Sequence, residues 1–320
     1  MMGRTLGKKA ILAGAIAQWL PDADVLASLW LEPAPNLLAH RGITHSLFFV
    51  ILVSILSGLI VLFNRKTSGP NAARWWLFLL VQTGSHVFLD LFNNYGVGLW
   101  EPFHHDRFSF NALYVADPFF TIGPLTGFLV LLFSKKITGR AAWWKAALIL
   151  PLLYLSLSLV NKWKVNQDLK QAIPAQNVAG QSFISTPSPF NNLLWYFIVK
   201  TDSGFYTGYR SVFDNSKRQD MVYSPRYEHL LENAVDEKEV ELLKRFSQGY
   251  FTAEYWGDTL VMNDLRFGKI IGWQKPGENF VFHYFLAPDG VSNKLVVQRG
   301  RLAKWDHETL PALARKILVR

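Results

Sequence analysis

Three short stretches hold six side chains of the types that bind metal ions: Pro-Asp-Ala-Asp at 21–24, His-Arg-Gly-Ile-Thr-His-Ser at 40–46 and His-Val-Phe-Leu-Asp at 86–90. The six are Asp22, Asp24, His40, His45, His86 and Asp90. His86 and Asp90 are four apart, so a helix presents both on one face, a turn apart. The five-residue step from His40 to His45 does not suit a single helix. It places His40 in an entry loop, with Gly42 allowing a turn and Thr44 or His45 near a helix start. An extended stretch after Pro21 would aim Asp22 and Asp24 to the same side. Mixed imidazole and carboxylate donors suit zinc, manganese or ferrous iron, whereas calcium takes oxygen alone. Six donors exceed what one catalytic zinc takes. Either two metals share the carboxylates, or some of the six orient the histidines. The expected cofactor is thus one or two divalent ions per chain, zinc or manganese.

A metal at such a site would activate water for hydrolysis. A carboxylate left off the metal, among Asp24, Asp90 and Asp117, would act as base. Arg41 or Arg107 would stabilise developing negative charge. Each has a plainer reading: Arg41 snorkelling to headgroups, Asp117 capping a helix before Pro118, His104 and His105 in a solvated loop.

These motifs border apolar segments. The 320 residues are half apolar and 18% charged, below the roughly 25% of soluble domains. Residues 1–160 carry 12 Lys/Arg and 7 Asp/Glu, against 21 and 17 in 161–320. A membrane half followed by a water-facing half is expected. Met1–Leu20, with Arg4, Lys8 and Lys9, reads as a retained anchor rather than a cleaved signal. With Leu47–Phe63, Trp75–Phe92, Phe119–Phe133 and Trp143–Val160 it gives about five spans, of which Ala10–Leu20 and Phe119–Phe133 are short. The basic loops Asn64–Arg74 and Ser134–Arg140 would face the cytoplasm, which puts all six candidate ligands and the C-terminal part outside.

The net charge of +9 forms no single basic patch, so nucleic acid is not an expected partner; membrane lipids are. With no cysteine there is no disulfide framework and no thiolate metal site. The expected domains are a helical membrane domain over 1–160, a connector over 161–185 and a small extramembrane α+β domain over 186–320. Strands are expected at Phe205–Phe213, Tyr250–Trp256, Thr259–Met262, Lys269–Trp273, Phe280–Leu286 and Lys294–Gln298, with helices at Glu237–Ser247 and Glu308–Leu318.

The three motifs, with His-x-x-x-Asp-x-x-Asn-x-Tyr-Gly from His86, resemble the bacterial family of YdjM-like membrane-bound metal-dependent hydrolases. Trp100–Phe108 with Asp117-Pro118 is similar to that family's outer loop. Thr186–Trp195 and Asp264–Gly268 are similar to segments that follow its membrane part in one branch. The resemblance implies a multi-spanning helical domain in the bacterial inner membrane and a hydrolase resting on the same six residues. The expected function is hydrolysis of an ester or phosphoester, small or lipid-linked, at the outer membrane face. A non-catalytic scaffold with a structural metal or polar network is the alternative. A transporter fits less well, since Leu47–Phe63 offers only Ser54, Ser57 and Gly58 along a path.

Overall fold

In a computed structural model the described residues are 9–63, 72–133, 139–234, 236–286, 295–296 and 304–318. The basic segments 64–71 and 134–138, with Arg4 and Lys8, lie outside them. The chain divides into two compact units. One comprises Met1–Glu32, Asn36–Phe110 and Pro118–Leu153; the other comprises Pro33–Pro35, Asn111–Asp117 and Tyr154–Arg320.

The first unit is helical. Its elements are α1 (Lys9–Trp19), a 3-10 segment (Pro21–Leu29), most of α2 (Pro33–Ala39), a 3-10 turn (Ile43–His45), α3 (Leu47–Phe63), α4 (Ala72–Asp90), α5 (Pro118–Phe133) and the start of α6 (Arg140–Ala175). Small residues set the packing, as they do where van der Waals contact must hold helices together without water. A Cβ on Gly58 of α3 would lie 3.3 Å from Trp76 Cβ of α4. A Cβ on Gly127 of α5 would run into Ala147 Cβ of α6. Gln18 of α1 donates to Gln82 Oε1 at 3.1 Å and Ser85 Oγ at 2.9 Å on α4. Large apolar side chains such as Ile60, Phe63, Phe133 and Leu153 stay exposed, a surface suited to hydrocarbon rather than water.

The Gly127 contact leaves no room for a larger residue. Gly127→Leu is expected to destabilise the first unit by about 1–3 kcal/mol. Thermal unfolding in detergent checks this, with Gly14→Ala in α1 as a control, since a Cβ there meets only ordinary contacts at 3.8 Å and beyond.

The expectation of five spans is overturned. Among the described residues one helix is long and apolar enough to cross a bilayer: Ala141–Ala175 in α6, with an 18-residue stretch of mean hydropathy 1.6. The number reaches three only if two bent pairs each count as one span: Lys9–Trp19 with Pro21–Leu29 at 54°, and Pro33–His45 with Leu47–Phe63 at 51°. The other runs fall short for physical reasons. Helix α5 has 16 residues with Pro124 inside it. Helix α4 has 19, but Arg74, Gln82, His86 and Asp90 lower its hydropathy.

Helix α6 passes from the first unit into the second and continues to Ala175, through much of the stretch read as a connector. Polarity rises after Val160 on one face only. Val165, Leu169 and Ile173 stay buried against Trp195, Phe197 and Val199. The second unit holds two antiparallel meanders. One is β1 (Ser182–Pro187), β2 (Leu194–Lys200), β3 (Gly204–Ser211) and β4 (Met221–Pro225). The other is β5 (Phe251–Trp256), β6 (Thr259–Lys269), β7 (Phe280–Leu286) and β8 (Leu295–Val296). Strand β2 shows the period-two rule with both faces buried: 195, 197 and 199 face α6, while Tyr196 and Ile198 pack with Leu265 and Phe280. Two helices complete the unit, α7 (Glu237–Phe246) and α8 (Thr309–Leu318). Asp236 caps α7 by accepting from Glu239 N at 3.0 Å. The strand expected at Lys269–Trp273 is instead the end of β6 and a turn with Ile271 at positive φ.

Candidate metal centre

Four of the six candidate ligands converge. Asp22, His45, His86 and Asp90 each offer one donor atom, and the four donors lie within 4.8 Å of one another. His45 Nε2 is 3.3 Å from His86 Nε2, 3.5 Å from Asp22 Oδ1 and 3.3 Å from Asp90 Oδ2. His86 Nε2 is 3.5 Å from Asp22 Oδ1 and 3.6 Å from Asp90 Oδ2. Five of the six edges of a tetrahedron therefore measure 3.3–3.6 Å.

That spacing tests which ion fits. Zinc–nitrogen and zinc–oxygen bonds of about 2.0–2.1 Å in a tetrahedral shell separate donors by about 3.3–3.4 Å. An octahedral shell with similar bonds brings neighbours to about 3.0 Å and opposite donors to about 4.2 Å. Five of the six separations match that tetrahedral spacing, and the sixth, Asp22 to Asp90, is within 4.8 Å. A further mark is Asp90 Oδ2, which is buried and has no hydrogen bond of good geometry although three cationic or imidazole groups surround it. Two imidazole nitrogens 3.3 Å apart likewise need a proton or a cation between them.

Each donor is aimed by its element. His86 and Asp90 sit one turn apart at the end of α4. His45 ends the 3-10 turn that follows Gly42, and its side chain is fully buried. Gly42 is required there, since a Cβ would approach Leu38 O to 2.7 Å. Asp22 lies in the 3-10 segment after Pro21 and is the most exposed donor, at 38% of its side chain. The extended stretch expected at 22–24 is not what forms. Three residues per turn place positions i and i+2 about 240° apart, and the two aspartates meet opposite nitrogens of His45, Asp22 at Nε2 and Asp24 at Nδ1.

Asp24 and His40 are not among the four. Asp24, with its side chain 4% exposed, accepts from Arg41 N at 2.8 Å and Thr44 Oγ1 at 2.8 Å through Oδ2, which also lies 3.2 Å from His45 Nδ1. Its Oδ1 meets His40 Nδ1 at 2.9 Å. A proton on His45 Nδ1, which faces Asp24 and Thr44, would leave the Nε2 lone pair for a metal. An imidazole held this way by a carboxylate is the usual outer arrangement of a metal-bound histidine.

The structure gives the arginines and Asp117 the following partners. Arg41, at φ +58°, turns its buried guanidinium to Asp90 Oδ2 (Nε at 3.1 Å) and to Asn93 Oδ1, and lies over the Tyr95 ring. It thereby balances a carboxylate of the site. Arg107 donates to the carbonyls of Leu38, His40 and Gly96, which pins the turn carrying His40. Asp117 belongs to the second unit, where it accepts from Tyr154 at 2.6 Å. His105 pairs with Glu101 at 2.9 Å at the surface. Asn93, the Asn of His-x-x-x-Asp-x-x-Asn-x-Tyr-Gly, is given no role by the sequence alone. Its signal was the spacing of three from Asp90, which on a helix end returns a side chain toward the same face.

Residues 2–165 match the sequence profile described as YdjM inner membrane protein. The chain is 39% identical over 115 residues to the inner membrane protein YbcI of Escherichia coli K12, covering 33% of this chain and 64% of that one. It is 28% identical over 202 residues to the uncharacterized protein YfhP of Bacillus subtilis strain 168, covering 62% of this chain and 57% of that one. The chain thus spans less than two thirds of the length of either curated relative. No solved structure matches significantly.

Proposed function

The chain belongs to the YdjM inner membrane protein family, and from that premise we propose that it is a membrane-bound, zinc-dependent hydrolase of ester or phosphoester substrates, lipid-linked ones included. Asp22, His45, His86 and Asp90 would hold the ion. The observation that carries this is their convergence, with all four donors within 4.8 Å and five of the six separations at 3.3–3.6 Å. A bound zinc supplies a Lewis acid and a water acidified toward neutrality.

The residues around it divide the remaining tasks. Asp24 fixes the His45 ring and, through its other oxygen, the His40 ring. His40 is the one exposed to an approaching substrate, at 35% of its side chain. With its Nδ1 proton on Asp24, its Nε2 is the atom placed to take up a proton. Arg41 holds Asp90 against it, and Arg107 holds the backbone of His40.

His40→Gln is therefore expected to keep zinc while lowering turnover of chromogenic ester and phosphodiester substrates by about 10²–10⁴-fold. Metal analysis beside turnover checks it; loss of zinc in that variant would return His40 to the ligand set. A second reading has its own support. Four protein donors complete a tetrahedral shell, as structural zinc sites do. In that case chelation would unfold the first unit, and no hydrolysis would be lost because none would exist.

A further inference from the structure

The second unit contains a cavity that the metal-centred reading leaves unused. It has a volume of about 650 Å³, within the roughly 300–1,000 Å³ of small-molecule sites, and lies between β3, the turn after β6 and α8. Arg218, Arg315 and Lys316 line it. Arg315 is shared with Glu308 at 3.3 Å, whereas Arg218 and Lys316 make no ion pair among the described residues. Of the two carboxylates in the wall, Asp214 is already neutralised by Arg210 at 3.2 Å. Asp220 remains. The aromatic side of the wall is Trp273 against Tyr209, edge to face at 6.4 Å. Trp273 is 7% exposed, and its indole N–H has no hydrogen-bond partner among the described residues. A narrower recess of about 120 Å³ continues past the same Tyr209, Trp273 and Lys316.

We propose that this cavity binds a phosphorylated ring compound of sugar-phosphate or nucleotide size. Arg218 and Lys316 would take the phosphate, whose charge neither spends elsewhere in the described structure. The ring would lie beside Trp273, whose unpaired indole N–H would donate to a ring hydroxyl. Asp220 would accept from a ring hydroxyl. The residues belong wholly to the second unit, so the site stands apart from the metal-centred reading and is tested without turnover.

The test is isothermal titration calorimetry on the full chain in detergent, with glucose 6-phosphate, uridine monophosphate, inorganic phosphate and glucose as probes. At least one of the two phosphorylated ring compounds is expected to bind saturably and more tightly than phosphate, and glucose not to bind. The double variant Arg218→Ala/Lys316→Ala should weaken that binding by about tenfold or more while keeping the wild-type melting temperature. Trp273→Phe should weaken the ring compound but not phosphate. Absence of saturable binding by both ring compounds would overturn the proposal. So would binding no tighter than that of phosphate, or binding that the double variant leaves unchanged.

Discussion

His45→Ala is expected to abolish stoichiometric zinc binding, with an affinity loss beyond the 10–100-fold typical of changes to groups that only orient a ligand. The size follows from its place: its Nε2 is the donor within 3.3–3.5 Å of all three others. Its removal also leaves Asp22 and Asp90 facing each other across His86 with less positive charge between them. Metal analysis after dialysis, with circular dichroism as the folding check, reads the result. Retention of a full equivalent of zinc in a folded His45→Ala protein would place the ion elsewhere.

The second large effect is expected at Asp24, which binds no metal in this account. Asp24→Asn replaces a buried carboxylate that takes contacts from His40, Arg41 N, Thr44 and His45 with an amide that accepts on one oxygen only. Breaking a buried charged network costs about 3–5 kcal/mol, and loosening the His45 ring should lower zinc affinity about 10–100-fold. Unfolding with and without added zinc separates the two: the metal-free protein reports the network, and the zinc-dependent shift reports the affinity. An Asp24→Asn protein with wild-type stability and affinity would deny Asp24 this orienting role.

The contrast between Asp22 and Asp24 shows what could be read from the chain and what could not. Both were visible as ligand-type residues. Their sorting depended on whether 21–24 is extended or 3-10, which two residues of spacing do not reveal. His86 and Asp90 were legible because the i, i+4 rule needs only that α4 be helical. Arg107 was not, because its partners are backbone carbonyls, which leave no mark in sequence.

The same limits appear in the fold. Apolar runs were counted as spans along the chain, but the bends between Trp19 and Pro21 and between His45 and Leu47 depend on three-dimensional packing. Strand β2 went unread because Leu-Trp-Tyr-Phe-Ile-Val is buried on both faces and shows no alternation. Phe280–Leu286 was read to the residue as β7, where aromatic and β-branched residues lie between clear turn signals.

The central claim is that Asp22, His45, His86 and Asp90 form one zinc site. The most direct measurement is the metal content of the purified, detergent-solubilised chain beside His86→Ala, by elemental analysis after zinc reconstitution. One zinc per wild-type chain is expected, lost in a folded His86→Ala protein. A well-folded wild type that takes up no stoichiometric metal would contradict it, and the four side chains would then be a proton-shared polar network.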